Sequence, residues 1–222
     1  MEKGKKWLRW GIMMVASLFL FGACGGGTYD ASGYVKSMMD AQTKGELDEY
    51  VELTESTQKE AEELYKGNID AQMEGLEGMG LSDELSDNYR ELFVKVFKNS
   101  KYEVGEAEEG DDESFTVPVT VETFQLFDGV EDELATYQEQ MITDLTAQIS
   151  ETGEMPDEAE ITEDVFQHMY DLLSERVENP TYGEKTTFDV EVTKNADGIY
   201  EADESTMEEI GRKLVDSDAF AI

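Results

Sequence analysis

The sequence predicts an α+β fold in which an antiparallel sheet of about four strands, made of two hairpins, packs against several helices. Two observations predict this fold. Apolar residues recur at helical spacing over residues 34–96 and again over residues 130–173. The spacing changes to two over residues 102–121 and 188–200, which is typical of strands with one buried face. Helices that alternate with antiparallel hairpins favour an α+β architecture.

Four helices are predicted before the first hairpin. The first ends before Gly45, and a short second helix follows over residues 47–54. Thr57 and Glu60 have the spacing of a capping box, which opens the third helix. Ser82 caps the fourth helix, which has the clearest apolar stripe in the chain. The stripe consists of Leu85, Tyr89, Leu92, Phe93 and Val96.

The first hairpin is predicted from two stretches of alternating residues. Tyr102 and Val104 lie on one face of the first strand, and residues 115–121 alternate apolar with polar side chains in the second. The acidic residues 108–112 are expected to form the turn. Pro118 cannot donate a hydrogen bond to a neighbouring strand, so we expect its strand to lie at an edge or to carry a bulge.

A second helical block connects the two hairpins. Its first helix is predicted over residues 130–150 and ends before Gly153. Thr162 is expected to cap the next helix, with Ile161 and Phe166 placed as a hydrophobic staple across the cap.

The second hairpin is predicted over residues 188–192 and 199–200, joined by a turn at 195–198. Ser205 and Glu208 have the form of a capping box for a short final helix. Aromatic residues of the predicted strands either line a binding face of the sheet or belong to its core. They are Phe115, Phe124, Tyr182 and Tyr200.

Residues 1–23 have the parts of an export signal: a basic head, a short apolar run and small residues before Cys24. Two alternatives remain open. A transmembrane anchor needs roughly 20 apolar residues, more than this run contains, and a plain secretory signal needs no thiol after the cut. We therefore predict a signal peptide over 1–23, a flexible tether over 24–32 and a single α+β domain over 33–218.

The segment Leu20-Phe21-Gly22-Ala23-Cys24 resembles the signal of bacterial lipoproteins. The resemblance implies that Cys24 carries a covalent diacylglycerol and becomes the first residue after cleavage. It also implies that the protein is anchored by lipid to the cell membrane, on the extracytoplasmic face. Two acyl chains make a durable anchor. Cys24 is the only cysteine of the chain, so an internal disulfide is excluded.

Residues 34–51 and the segment Asp197-Gly198-Ile199-Tyr200 look like parts of small Gram-positive lipoproteins of unknown function. The exported domains of these proteins are often similar to nuclear transport factor 2. The resemblance therefore implies a cystatin-like α+β cone, in which helices lie against a curved sheet. It implies no catalytic residues for this chain.

The charge of the chain excludes one class of partner. The 222 residues include 17 Lys and Arg and 53 Asp and Glu. Residues 24–222 keep 13 of these basic residues and 52 of the acidic ones, which gives a net charge of −39. A charge of this sign repels nucleic acid. Cations or a basic envelope protein are the partners that such a field favours, and an acidic coat that only maintains solubility is the alternative.

The sequence contains few candidate catalytic residues. The chain has a single histidine, His168, and we expect it at the edge of a helix core because one histidine without a paired nucleophile makes no catalytic triad. No cysteine and histidine cluster has the spacing of a metal site, and no glycine-rich loop after a strand would bind phosphate. No cofactor other than the diacylglycerol on Cys24 is predicted.

One segment has the spacing of a calcium loop. Asn195, Asp197, Glu201 and Glu204 fall at the third, fifth, ninth and twelfth positions of such a loop. The first position is Thr193 instead of an aspartate, and the flanking segments are predicted strands. The same residues, with Gly198, suit a hairpin turn, and we favour the turn.

The sequence therefore predicts a membrane-anchored, non-enzymatic binding or interaction module whose ligand is unknown. Two alternatives stay open. An enzyme with carboxylates in a cone-shaped pocket would need two close carboxylates with shifted pKa values. A weak calcium-binding envelope protein would use the loop at Asn195.

Overall fold

The computed structural model describes residues 29–196 and 198–217. The predicted signal peptide, Cys24 and Asp197 lie outside the described residues. Within them the chain forms an α+β fold, as predicted. The helices are α1 (Ala31–Thr43), α2 (Asp48–Thr54), α3 (Gln58–Met73), α4 (Asp83–Lys98), α5 (Val130–Thr152), α6 (Glu158–Glu178) and α7 (Glu204–Lys213). The strands are β1 (Lys101–Val104), β2 (Glu108–Glu109), β3 (Phe115–Phe124), β4 (Tyr182–Lys194) and β5 (Tyr200–Ala202).

The two predicted hairpins join into one curled sheet. Its strand order is β1-β3-β4-β5, and β2 pairs with β3 beside β1. The joint is the antiparallel pairing of β3 with β4, which runs from Phe115 opposite Val192 to Phe124 opposite Tyr182. β5 pairs only with the last three residues of β4. The sheet therefore has one end at Phe115 and another at Phe124.

Pro118 does not lie at an edge, so that part of the prediction was wrong. β3 is an inner strand, with β1 and β2 on one side and β4 on the other. The irregularity lies in the segment that connects β1 to β2. Val104 pairs with Val119 and Glu108 pairs with Thr116, so this segment has one residue more than the part of β3 that it faces. The carbonyl of Pro118 accepts from the Gly105 N–H at 2.8 Å. The nitrogen of Pro118, which has no hydrogen to donate, therefore faces the bulge between β1 and β2.

The predicted turn at residues 108–112 also differs from the structure. Glu108 and Glu109 pair with β3 as strand β2. The turn follows over residues 110–114, where the Gly110 N–H donates to the Ser114 carbonyl at 2.9 Å.

Two helices begin earlier than their predicted caps. The cap of α6 is Asp157, whose carboxylate accepts from the Ala159 N–H at 2.9 Å, instead of Thr162. The cap of α7 is Asp203, whose carboxylate accepts from the Thr206 N–H at 2.8 Å, instead of Ser205. In both cases an aspartate lies upstream of the hydroxyl residue, and its negative charge also suits the helix N-terminus. The predicted capping box of Thr57 and Glu60 is confirmed.

The folded part begins before the predicted end of the tether at residue 32. Asp30 caps α1 through a hydrogen bond from the Gly33 N–H at 2.8 Å. The ring of Tyr29 stacks on Tyr200, with centroids 3.9 Å apart and planes 14° apart. Residues 29–32 are therefore part of the domain.

The core lies between the inner face of the sheet and the helices. Val117, Val119 and Val121 of β3 are fully buried, and α1 and α7 pack directly on β3. The predicted apolar stripe of α4 is confirmed, because each of its five residues is buried. The aromatic residues of the strands also belong to this core: Phe115, Phe124 and Tyr200 are buried, and the partly buried Tyr182 packs against Phe124 with ring centroids 5.7 Å apart.

The helices α4, α6 and α5 pack on one another in series. α6 packs on α4, and α5 packs on α6. Of the apolar residues at helical spacing in α5, Val130 and Leu134 are buried, and Tyr137, Met141, Leu145 and Ile149 are half-buried. Within residues 29–196 and 198–217, none of the helices combines the length and the apolar character needed to span a bilayer.

A buried carboxylate fastens α1 to β1. Asp40 has a side chain only 3% exposed, and it accepts hydrogen bonds from Lys36, from Lys44 at 2.7 Å and from the Tyr102 hydroxyl at 2.6 Å. Burial raises the pKa of Asp40, but the three donors together outweigh burial and bring the pKa below its usual value. Asp40 is therefore a structural anion that stays charged at neutral pH.

We predict that Asp40→Asn lowers the free energy of unfolding by about 2–3 kcal/mol at pH 7, because it weakens hydrogen bonds to a charged group. A folded pKa below the unfolded value means that this stabilisation is complete above about pH 3.9 and is lost as the pH falls through the folded pKa. Urea unfolding between pH 7 and pH 3 measures both effects.

The matched control is Asp70→Asn, which breaks the half-exposed ion pair of Asp70 with Arg90. We expect this variant to lose less than about 1 kcal/mol. Equal losses in the two variants would contradict the structural role of Asp40.

Candidate functional site

A cleft of about 410 Å³ opens at the Phe124 end of the sheet, which we call the sheet-end cleft. Its size lies within the range of small-molecule sites. Its lining residues are glycine or have polar side chains, and they come from three segments: the end of β3 with the loop after it, the start of β4, and the end of α7 with the chain that follows. The lining residues are Thr123, Gln125, Asp128, Gly183, Glu184, Thr186, Lys213 and Asp216.

The backbone holds these three segments together. The pairing of β3 with β4 shifts register between Glu122 and Phe124. There Phe124 forms a parallel bridge with Val215: the Phe124 N–H donates to the Leu214 carbonyl at 2.9 Å, and the Asp216 N–H donates to the Phe124 carbonyl at 3.0 Å. The chain after α7 thus adds a short strand-like segment to the end of β3, which places Asp216 at the cleft.

Asp216 is the best-positioned carboxylate of the cleft. Its side chain is half-buried, and its Oδ1 accepts from the Phe127 N–H at 2.9 Å. Burial raises the pKa of Asp216, the negative charge of Asp128 raises it further, and backbone donors oppose both effects. Asp216 therefore takes up a proton more readily than an exposed aspartate does.

The other walls of the cleft supply mainly hydrogen-bond acceptors. Asp128 and Glu184 are exposed carboxylates, and Lys213 is the one cation among the lining residues. Half-buried hydroxyl and amide groups come from Thr123, Thr186 and Gln125. Three carboxylates against one ammonium group give the cleft a negative charge, so its chemistry suits a ligand that carries positive charge and donor groups.

A second cleft, of about 390 Å³, lies where α1 ends and α2 and α3 begin. It is lined by Asp40, Gly45, Glu46, Leu47, Asp48, Glu49 and Gln58. The oxygens of Asp40 already accept from Lys36, Lys44 and Tyr102. The charge of Asp40 is thus paired with two lysines, whereas the donors to Asp216 are backbone N–H groups, which makes the sheet-end cleft the better candidate site.

The segment with calcium-loop spacing forms a hairpin turn. The Asn195 amide nitrogen donates to Glu201 at 2.6 Å, and the Asn195 side-chain oxygen accepts from the Ile199 N–H at 3.0 Å. Gly198 has a φ of +82°, as the turn requires. Glu204 is the first residue of α7, and Asp197 lies outside the described residues. The part of the chain that the structure describes contains no group of three or more possible metal ligands, and calcium binding stays an untested alternative.

His168 lies in the interface between two helices. Its ring stacks on Tyr137 of α5, with centroids 3.9 Å apart and planes 13° apart. The histidine is half-buried, as expected for the edge of a helix core. It lies apart from the residues that line the sheet-end cleft.

Sequence reasoning missed the sheet-end cleft. Asp216 and Asp128 are two of 53 acidic residues, and nothing in their neighbours marks them. The site depends on the bridge between Phe124 and Val215, which lie far apart in the sequence. Spacing along the chain reports local structure only, so it carries no signal for such a contact.

We predict that Asp216→Asn leaves the protein at least as stable as the wild type at pH 7. Asparagine keeps an acceptor for the Phe127 N–H and removes the charge that burial disfavours. Because the folded pKa of Asp216 is raised, its contribution to stability is complete below about pH 3.9 and is lost as the pH rises through the folded pKa. The advantage of the variant should therefore shrink on acidification, as urea unfolding at several pH values would show.

Asp216→Ala is the control, since it removes the acceptor as well as the charge. We expect a loss of about 1–3 kcal/mol from removal of the hydrogen bond that the Phe127 N–H donates to Asp216. An Asp216→Asn variant clearly less stable than the wild type at pH 7 would argue that the charge itself holds the C-terminal segment in place.

Comparison with known proteins adds a likeness of fold. No protein-family model matches the sequence, and no curated protein sequence matches it. Among solved structures, the chain is similar to a Bacillus subtilis subsp. subtilis str. 168 protein named "putative lipoprotein (ycdA)", with a TM-score of 0.53 and 13% identity. The likeness covers 85% of this chain and 56% of the other, so this chain spans little more than half the length of that protein. At this identity the likeness shows a shared fold.

Proposed function

We propose that this chain is a lipid-anchored extracytoplasmic lipoprotein that binds a small polar ligand in the sheet-end cleft, without catalysing a reaction. The observation that carries the proposal is the half-buried Asp216 carboxylate in a polar cleft of about 410 Å³. Partly buried charge in a concave site is expected where a ligand completes the set of hydrogen bonds.

Two observations support the anchor. Cys24 directly follows an apolar run with a basic head and a small residue, as in the lipoprotein signal. The structural neighbour of 13% identity is itself named a putative lipoprotein. The diacylglycerol on Cys24 would place the domain at the cell membrane, on the extracytoplasmic face, with the membrane as its first partner.

The lining of the cleft favours a particular class of ligand. Asp128, Glu184 and Asp216 accept hydrogen bonds and attract positive charge, and Thr123 and Thr186 add hydroxyl groups. The net charge of −39 over residues 24–222 raises the local concentration of cations around the whole domain. The ligand we propose is a small organic cation with further hydroxyl or amide donors. The basic side chains of an envelope protein would also find carboxylate partners in this cleft.

An enzyme with Asp216 as general base is the second candidate. It is favoured by the raised pKa of Asp216 beside the second carboxylate, Asp128. We place it second because the lining residues offer no histidine or cysteine to complete a catalytic set with the carboxylates.

The anchor is tested by Cys24→Ala in the full chain expressed in bacteria. We expect the variant to move from the membrane fraction to the soluble extracytoplasmic fraction, because it has no thiol to acylate. Cell fractionation followed by immunoblotting measures the shift. Glu91→Ala, at an exposed position that leaves the signal intact, is the control for handling losses. A Cys24→Ala protein that stays in the membrane fraction would contradict the lipid anchor.

The cleft is tested by calorimetric titration with spermidine, glucosamine and arginine amide, three cations of different shape. We expect at least one to bind the wild type, and Asp216→Asn to weaken its affinity at least about tenfold, since one buried charge-assisted hydrogen bond contributes roughly 1.5–3 kcal/mol. Asp189→Asn, on the exposed face of β4, is the matched control and should bind like the wild type. Absence of binding by all three cations, or equal affinities in both variants, would contradict the proposed ligand class.

A further inference from the structure

We infer that the domain stands on the membrane by the Phe115 end of its sheet and that the sheet-end cleft opens away from the bilayer. The inference rests on the proposed attachment at Cys24. It adds an orientation, and therefore says from which side a ligand reaches Asp216.

The chain enters the folded domain at Tyr29, which we call the entry point, and this residue is held at one end of the sheet. The ring of Tyr29 stacks on Tyr200 and lies 5.9 Å from the ring of Phe115 and 6.0 Å from that of Tyr34, between ring centroids. Phe115 is the first residue of β3 and pairs with Val192 near the end of β4. Tyr29 thus belongs to this end of the sheet.

The segment that connects Cys24 to the folded domain is short. Gly25, Gly26, Gly27 and Thr28 are the four residues that separate Cys24 from Tyr29. Five extended residues reach at most about 18 Å. The Phe115 end of the sheet must therefore stay within about 18 Å of an acylated Cys24.

The cleft lies at the opposite end of the same strand. β3 runs for ten residues from Phe115 to Phe124, which is about 30 Å at the rise of an antiparallel strand. Phe124 carries the bridge to Val215 that places Asp216 in the cleft. The distance of about 30 Å between the anchored end and the cleft thus exceeds the roughly 18 Å that the segment from Cys24 to Tyr29 can span.

Charge disfavours the alternative in which the domain lies on its side. Residues around the entry point are exposed carboxylates, among them Glu106, Glu108 and Glu109. An anionic bilayer repels such a surface over a Debye length of about 10 Å at 0.1 M salt. A domain on its side would bring still more of the 52 acidic residues of the mature chain within this distance. Repulsion is therefore smallest when only the anchored end of the domain lies near the bilayer.

The mature chain allows a direct test by fluorescence. Both tryptophans, Trp7 and Trp10, lie in the predicted signal peptide, so residues 24–222 contain none. Every described element begins at or after Tyr29, and removal of residues 1–23 takes none of them away. A single tryptophan can thus be introduced at each end: Glu109→Trp at the anchored end and Thr181→Trp, an exposed position, next to the cleft.

Each variant is coupled through the Cys24 thiol to a maleimide lipid in vesicles of phosphatidylcholine and phosphatidylglycerol that contain dansyl-labelled lipid. Since the two positions differ by about 30 Å along the sheet, we expect energy transfer to dansyl at least about threefold stronger from Glu109→Trp than from Thr181→Trp. Glu106→Trp repeats the measurement at the anchored end in case Glu109→Trp folds poorly. Insertion of fifteen Gly and Ser residues after Gly27 should reduce the ratio towards one.

Equal transfer from both ends, or stronger transfer from Thr181→Trp, would overturn the orientation. The maleimide coupling replaces the natural acyl chains, so this result does not depend on whether cells acylate Cys24. Failure of the anchor proposal would instead appear in cell fractionation, and the two failures are distinguishable.

Discussion

The antiparallel pairing of β3 with β4 is the constraint on which the rest of the structure depends. It joins two hairpins that a block of two long helices separates in the sequence. It buries the valines of β3 and β4 against α1 and α7. It also defines the two ends of the sheet: Tyr29 enters beside Phe115, and the chain after α7 closes on Phe124. The polar cleft and the entry point are far apart because this one strand separates them.

Local periodicity predicted the elements well, for a physical reason. The apolar stripe of α4 and the alternation of β3 each reflect one buried face, and a buried face repeats with the geometry of its own backbone. The structure confirms both. Helix starts were less well predicted, since Asp157 caps α6 five positions before Thr162 and Asp203 caps α7 two positions before Ser205. Side-chain carboxylates are too common in this chain to mark a cap by themselves.

Non-local features could not be predicted from the sequence. Pro118 suggested either an edge strand or a bulge, and only the assembled sheet shows that the strand is an inner one whose missing donor faces a bulge in the neighbouring segment. The cleft has the same origin. Asp216 acquires its half-buried setting from a bridge between residues 124 and 215, and from the Phe127 N–H that fixes its carboxylate. Among 53 acidic residues, only the fold distinguishes Asp216 from the exposed ones and Asp40 from both.

Asp40 and Asp216 show how environment separates two roles for one residue type. Three donors outweigh burial around Asp40, so its pKa falls, and the carboxylate holds α1 on β1. Around Asp216 burial dominates, so its pKa rises, and the carboxylate is left facing a cleft. The first arrangement serves stability, and the second suits an exchange of protons or the binding of a cationic ligand.

The claim on which the functional account depends most is that the mature chain begins at an acylated Cys24. Mass spectrometry of the tryptic peptide that ends at Lys36, taken from protein purified from membranes, tests it most directly. The account predicts a peptide whose first residue is Cys24 with the added mass of a diacylglycerol. A chain that still begins at Met1 and carries a free thiol at Cys24 would contradict it.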